Sequence, residues 1–398
     1  MAVVTRLRAV AVALGRPQGQ LLGTLAAGWF LVLGMRFVVP ALLPTIRAEY
    51  GVSNTAAGLA VTLLWLGYAV MQFPTGFLID RVGERRLLVA SLVLSALALL
   101  AYGFAPVFAL FLLATAALGL GTGLYGPTRG TLLSRCFSDR EGVAFGAVLA
   151  AGSVGAAPLP FLAASGTGRF GWRVAMGAAA PLFLGVAVGL RSTVPPRATT
   201  ASDRDLRTDL STAVRSLYSR CLALIVTGAT LMLFGFQAVT AFLTTYLVEQ
   251  RGLSQGLAGA LLSLLFVGGA LAQTTTGALA DRFGTPRVIA GVSLVSVVPL
   301  VALPFVEGTV ALAAASTAIG VRMSSGPLSN AYIVDVLPDD VQGTAWGLLR
   351  TTFFAVGSFG SALVGVLADR GIFDGSFFLL AVLTALAGVV FLFVPERV

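Results

Sequence analysis

The sequence predicts an all-α membrane protein with twelve transmembrane helices in two pseudo-symmetric six-helix bundles. Three observations carry this expectation. The 398 residues are 57% hydrophobic and 11% charged, with a mean hydropathy of +0.93, whereas a soluble domain carries about 25% charged residues. Apolar runs long enough to cross a bilayer follow one another along the chain. Finally, the chain repeats itself at an offset of 201 positions: Gly51, Ser53, Ala57, Gly58, Gln72, Gly76, Leu78, Asp80, Arg81 and Gly83 recur as Gly252, Ser254, Ala258, Gly259, Gln273, Gly277, Leu279, Asp281, Arg282 and Gly284. Gly142, Ala144 and Gly146 recur likewise as Gly343, Ala345 and Gly347. A fixed offset of this kind marks an internal repeat, and duplicated halves in an apolar chain point to a transporter.

Taken in order, residues 1–20 hold Arg6, Arg8 and Arg16 and read as a cytoplasmic N-terminal tail. The apolar run from Leu21 is too long for the core of a signal peptide. Spans near 21–43, 55–79, 87–104, 107–131, 142–165 and 173–190 make a first bundle over 21–190. Residues 191–220 break the pattern with Pro195, Pro196 and a cluster of arginines, and read as a cytoplasmic linker. Spans near 221–248, 256–280, 288–306, 308–334, 344–368 and 375–394 make a second bundle over 221–398.

Orientation follows from arginine, because lysine and histidine are both absent. Loops on the side of the N-terminus hold seventeen arginines and the opposite loops five, a bias that places both termini in the cytoplasm and the protein in the plasma membrane. The net charge of +9 is therefore explained by lipid head groups and topology, and no nucleic acid is expected. Cys136 and Cys221 lie near predicted cytoplasmic helix ends, which argues against a disulfide or a metal cluster. Nothing resembles a nucleophile–base set or a nucleotide loop, so neither an enzyme nor a cofactor is expected. Glycine runs such as Gly119–Gly123, Gly152–Gly155 and Gly357–Gly360 read as helix-packing surfaces.

The loop GFLIDRVGERR (76–86), its copy GALADRFGTPR (277–287) and the stretch GPTRGTLLSRCFSDREGVAFG resemble the major facilitator superfamily. The resemblance implies two six-helix bundles rocking about a central cavity lined by spans 1, 4, 7 and 10. Glycine at 76 and 83 allows close approach and a sharp turn. Asp80 can meet the positive N-terminal end of a helix from the other bundle; the resemblance makes that helix span 11, near Thr344, and pairs Asp281 with span 5, near Gly142. Gly76, Asp80, Arg81 and Gly83, with Gly277, Asp281, Arg282 and Gly284, are thus expected to form gates. The competing role is that of topology charges with weak surface ion pairs.

Four arginines fall inside spans: Arg36, Arg129, Arg322 and Arg350. A charge at a helix centre costs about 2.5–3.5 kcal/mol on insertion scales and normally faces a cavity or a partner. Arg129 and Arg350 lie toward cytoplasmic ends, where they can snorkel, and take a structural or gating role. Arg36 lies roughly 22 Å into span 1, and Arg322 roughly 21 Å into span 10. No carboxylate lies deep enough to pair with them. Two such guanidinium groups ask for an anion, which they bind bidentately. Arg36 maps by the repeat onto Gln237; with Tyr125 and Asn330 it completes the candidate substrate-binding set. For these last three, hydrogen bonding between helices competes, and for Arg36 a bond to helix backbone carbonyls does. GMRFVVPALLP resembles organic-anion carriers of the superfamily, although Gln237 stands where the organophosphate carriers have arginine. GSVGAAPLP departs from the signature of its proton-coupled drug antiporters.

The expected function is secondary transport of a small organic anion by alternating access. Drug efflux is the alternative, and a non-transporting membrane sensor a more distant one. The expected partners are a small-molecule substrate and the lipid bilayer, with a coupling ion left open and the protein monomeric.

Overall fold

The computed structural model describes residues 17–197, 219–338 and 342–396, and among these every regular element is a helix. Most of the expected tail, residues 198–218 of the expected linker, and Arg397 lie outside the described residues. Helical pieces that fall within one expected span share a label below. The first half comprises α1 (Pro17–Tyr50), α2 (Asn54–Val70 and Gln72–Val82), α3 (Glu84–Gly103) and α4 (Phe108–Cys136). It continues with α5 (Glu141–Ala156 and Pro158–Phe170) and α6 (Trp172–Gly177 and Ala180–Thr193). The second half comprises α7 (Arg220–Glu249), α8 (Gln255–Phe283) and α9 (Thr285–Val295 and Val297–Ala302). It ends with α10 (Thr309–Ile319 and Ser325–Val336), α11 (Gln342–Asp369) and α12 (Phe373–Leu392).

The repeat is visible in how helices begin. The Ser53 and Ser254 hydroxyls, equivalent by the offset, accept hydrogen bonds from the backbone N–H groups of Ala56 (3.2 Å) and Leu257 (3.3 Å). Each thereby satisfies one of the donors a helix start leaves free.

Among the described residues, ten helical runs are long and apolar enough to cross a membrane, and α2 makes an eleventh if its halves, bent by 43°, are one span. The expected tenth span differs from a single rod. Its α-helical pieces are 11 and 12 residues long, joined by a 3-10 turn at Gly320–Ser324. The break falls where α8 and α10 touch backbone to backbone. A Cβ on Gly320 would collide with the Leu265 carbonyl and lie 2.7 Å from the Gly269 nitrogen. That approach accompanies the change of helix type, together with Pro327, which cannot donate to the Met323 carbonyl four residues back.

Two apolar clusters hold the halves together internally. One contains Leu25, Leu92, Leu118, Phe183 and Trp172, all from α1–α6. The other contains Ile225, Ile289, Ile333 and Phe391, all from α7–α12. A third joins the halves, with Phe37, Val61 and Trp65 packed against Phe242, Leu262 and Phe266. Large side chains such as Leu113, Val188, Val310 and Leu392 point outward, as a lipid environment requires of a helical bundle.

The halves meet chiefly through α2 against α11 and α5 against α8. On the face away from the chain ends this seam is tight. A Cβ on Gly58 would lie 2.6 Å from the Ser361 carbonyl oxygen, and one on Gly259 2.6 Å from the Ala164 side chain. The Asp369 carboxylate, at the end of α11, accepts hydrogen bonds from the Asn54 and Thr55 N–H groups, both at 2.8 Å. It also accepts one from the Thr55 hydroxyl at 2.6 Å. It thus caps the positive end of α2 from the other half. Arg47 and Glu249 add an ion pair at 2.6 Å between α1 and α7.

Candidate functional site

On the face that carries the chain ends, the halves part around a cavity of about 740 Å³. Its mouth is formed by Asp80, Glu141 and the start of α11 at Gln342–Thr344, and its inner end by Gln72, Arg129 and Arg350. The polar groups at that inner end come from α2, α4 and α11, so both halves contribute.

Tyr68 is the centre of the charged cluster. Its side chain is buried, its hydroxyl accepts a hydrogen bond from Arg350 Nη2 at 3.1 Å, and the Arg36 guanidinium lies 4.3 Å from its ring centroid. Arg36 is 1% exposed and also faces the rings of Trp65 (5.0 Å) and Trp29 (5.4 Å). Arg129 lies 4.1 Å from the Trp29 ring centroid, with Nε and Nη1 unpartnered. Aromatic faces stabilise a guanidinium by about 0.5–2 kcal/mol each, and do so without neutralising it. Among the described residues none of the three arginines makes an ion pair. Among the described residues, the ionisable neighbours that act on Arg129 include Tyr68, Tyr125, Arg350 and Arg36.

Arg36 is therefore buried behind Tyr68 rather than on the cavity wall; its Nε donates to its own helix at the Val32 carbonyl, 3.3 Å away. Arg129 does not snorkel: it is 8% exposed and turns inward. It joins Arg36 and Arg350, a convergence that depth along one helix does not reveal.

Arg322 lies in a different place. It is 2% exposed, and its Nη2 donates to the Met232 carbonyl at 3.2 Å and to the Thr384 hydroxyl at 3.4 Å. Its Nε and Nη1 are unpartnered. It borders a smaller cavity of about 170 Å³ with Ser325, Ser329, Asn330 and Phe354. Phe354 stands between the two regions, in contact with Tyr68 (4.9 Å between centroids) and with Trp65 (6.0 Å, stacked). Of the candidate set, Arg322 and Asn330 thus share one cavity and Arg36 belongs to the other cluster. Gln237 is fully buried with both amide atoms unpartnered, and lines neither cavity. The Tyr125 hydroxyl donates to the Leu25 carbonyl at 2.8 Å and its ring stacks on Trp29, tying α4 to α1.

The two loop copies share their backbone. Gly83 and Gly284 have φ of +84° and +88°, and each donates its N–H to the carbonyl four residues back at 2.9 Å. That region of φ is open to glycine and strained for other residues. A Cβ on Gly76 or Gly277 would meet no atom within 4 Å. Asp80 lies 3.5 Å from Arg197, which follows Pro196 at the start of the linker. Glu84, fully buried, pairs with Arg135 (3.2 Å) and Arg197 (3.0 Å), neither of which stood out in the sequence. Arg81, Asp281 and Arg282 are exposed, with Arg282 resting over Phe283 at 5.2 Å. Among the described residues no three acidic or cysteine side chains gather in a way that would hold a metal.

Comparison with known proteins agrees with this architecture. The chain matches the Major Facilitator Superfamily model over residues 24–264 and 225–398. It is 25% identical over 368 residues to the MFS-type transporter YfnC of Bacillus subtilis, covering 91% of this chain and 90% of that one. It is also 25% identical to a probable 4-methylmuconolactone transporter of Cupriavidus pinatubonensis, covering 93% and 89%. Among solved structures, a bacterial homologue of the human lysosomal transporter Spinster, inward-facing and unoccupied, superposes with a TM-score of 0.78 at 14% identity, covering 95% and 96%. With a family match spanning both halves, a paired-bundle membrane fold and a cavity between the halves, the chain belongs to the Major Facilitator Superfamily of membrane transporters.

Proposed function

We propose that the protein moves a small organic anion across the plasma membrane by alternating access, as a monomer with both termini in the cytoplasm. One observation carries the substrate class: Arg36, Arg129 and Arg350 gather at the end of the cavity with no carboxylate partner among the described residues. Holding bare positive charge in a poorly hydrated site is costly, and an entering anion relieves that cost. The cavity opens on the face of the chain ends while the opposite face is closed by Asp369, Gly58 and Arg47. This is the inward-facing arrangement. In the reverse state Asp80 would leave Arg197 and cap the start of α11, as Asp369 now caps α2.

The test is a thermal-shift screen of purified protein against organic acids, phosphates, sugars and drugs, since a ligand that binds the folded state raises the melting temperature by mass action. The expected result is a shift with carboxylates or phosphates that disappears when the cavity-lining arginines are neutralised together in Arg129→Gln, Arg350→Gln. Shifts confined to neutral or cationic compounds would overturn the anion reading. They would favour drug efflux, for which the apolar walls of the smaller cavity (Met232, Leu233, Phe236, Phe353) are suited.

A further inference from the structure

Resting on the anion reading, we infer that the substrate carries two negative charges and is held between the halves by Arg129 and Arg350, rather than by the deeper Arg36. Both arginines border the large cavity, Arg129 from α4 in the first half and Arg350 from α11 in the second. Each has unpartnered guanidinium nitrogen: Nε and Nη1 of Arg129 and Nε of Arg350. Arg36 borders neither cavity and is screened by the Tyr68, Trp65 and Trp29 rings. Among the described residues, the acidic side chains on the cavity wall are at its mouth, and each has a partner there. Asp80 faces Arg197, and Glu141 accepts a hydrogen bond from Ser134 at 2.5 Å. Among the described residues, two cations from opposite halves thus border the inner end of one cavity with no acid between them.

A monoanion would satisfy one of these groups and leave the other exposed to like charge. A dianion satisfies both, and guanidinium is suited to either a carboxylate pair or a phosphoryl group. Gln72 supports the same end: its amide nitrogen is committed to the Tyr68 (3.1 Å) and Gly123 (3.2 Å) carbonyls, which fixes the side chain beside the arginines. A bound dianion bridges α4 and α11, so the same contacts that recognise it draw the halves together. Charge count and closure are then one property.

The experiment is equilibrium binding to the full chain in lipid nanodiscs, using succinate, butyrate and inorganic phosphate from pH 5.5 to 8. Succinate is expected to bind at least tenfold more tightly than butyrate, and the ratio to fall within twofold of unity in both Arg129→Gln and Arg350→Gln. If the two charges must sit on one group, phosphate takes the place of succinate as the tight ligand. Its affinity then rises as its second proton is lost, while butyrate stays flat above pH 6. That series needs no variant and survives a failure of Arg129→Gln to fold. Equal affinity for mono- and dianions, or a charge preference intact in both variants, overturns the inference while leaving an anion transporter. Absence of any anion binding, with neutral or cationic ligands retained, overturns the anion reading as well.

Discussion

The two copies of the loop between the second and third helices of each half have the same backbone and different chemistry. At 76–86 and at 277–287 the chain turns on a glycine of nearly equal φ with the same hydrogen bond. Around the first copy, however, Glu84 is buried and ties Arg135 of α4 and Arg197 beyond α6 to the turn. The second copy has Thr285 in its place, and its ion pair, Arg287 with Glu396 at 2.7 Å, is far more exposed. Duplication thus preserves the turn, which only backbone geometry dictates. It leaves the charges free to diverge, because each half offers them different neighbours.

The largest effect expected from this comparison is at Glu84. Glu84→Ala leaves two guanidinium groups around an emptied buried site and should cost about 3 kcal/mol, the lower range for breaking a buried pair because both arginines are about one-third exposed. The readout is the apparent melting temperature in detergent. Next come Gly83→Ala and Gly284→Ala, each forced into a backbone region costing about 1–3 kcal/mol for a residue with a Cβ. At Gly284 the added Cβ would also lie 2.9 Å from Glu396 Oε1, the end of a flexible side chain that can move aside. The smallest effect belongs to Arg287→Ala, which removes an exposed pair and should leave the melting temperature unchanged. Equal losses for Glu84→Ala and Arg287→Ala would dissolve the contrast between the copies.

Much of the fold is legible in the sequence because its signals are local. Apolar run length marks the helices, a 201-residue offset marks the halves, and Gly83 and Gly284 mark the turns. The site is less legible. Distance along one helix places Arg36 and Arg322 at depth, but says nothing about which other helix approaches. That Arg129 and Arg350 meet Arg36 at Tyr68 depends on packing among four helices, and no periodicity in any one of them encodes it. Tyr68 itself carries no local mark that sets it apart from other buried aromatics. Glu84 lies in the recognised loop, yet its burial depends on Arg197, which is 113 residues away in the chain.

The interruption of α10 has a consequence for anyone who maps this helix by periodicity. An α-helix advances about 100° per residue and a 3-10 helix about 120°. Across the five residues Gly320–Ser324 the difference accumulates to roughly 100°. The tenth rod therefore carries a phase slip of about a quarter turn. An accessibility scan fitted with a single period from Thr309 to Val336 would follow one stripe down to Gly320 and then assign the wrong side. Fitted as two waves with a shifted origin, the same scan would recover Ser325, Ser329 and Asn330 on the side of Arg322.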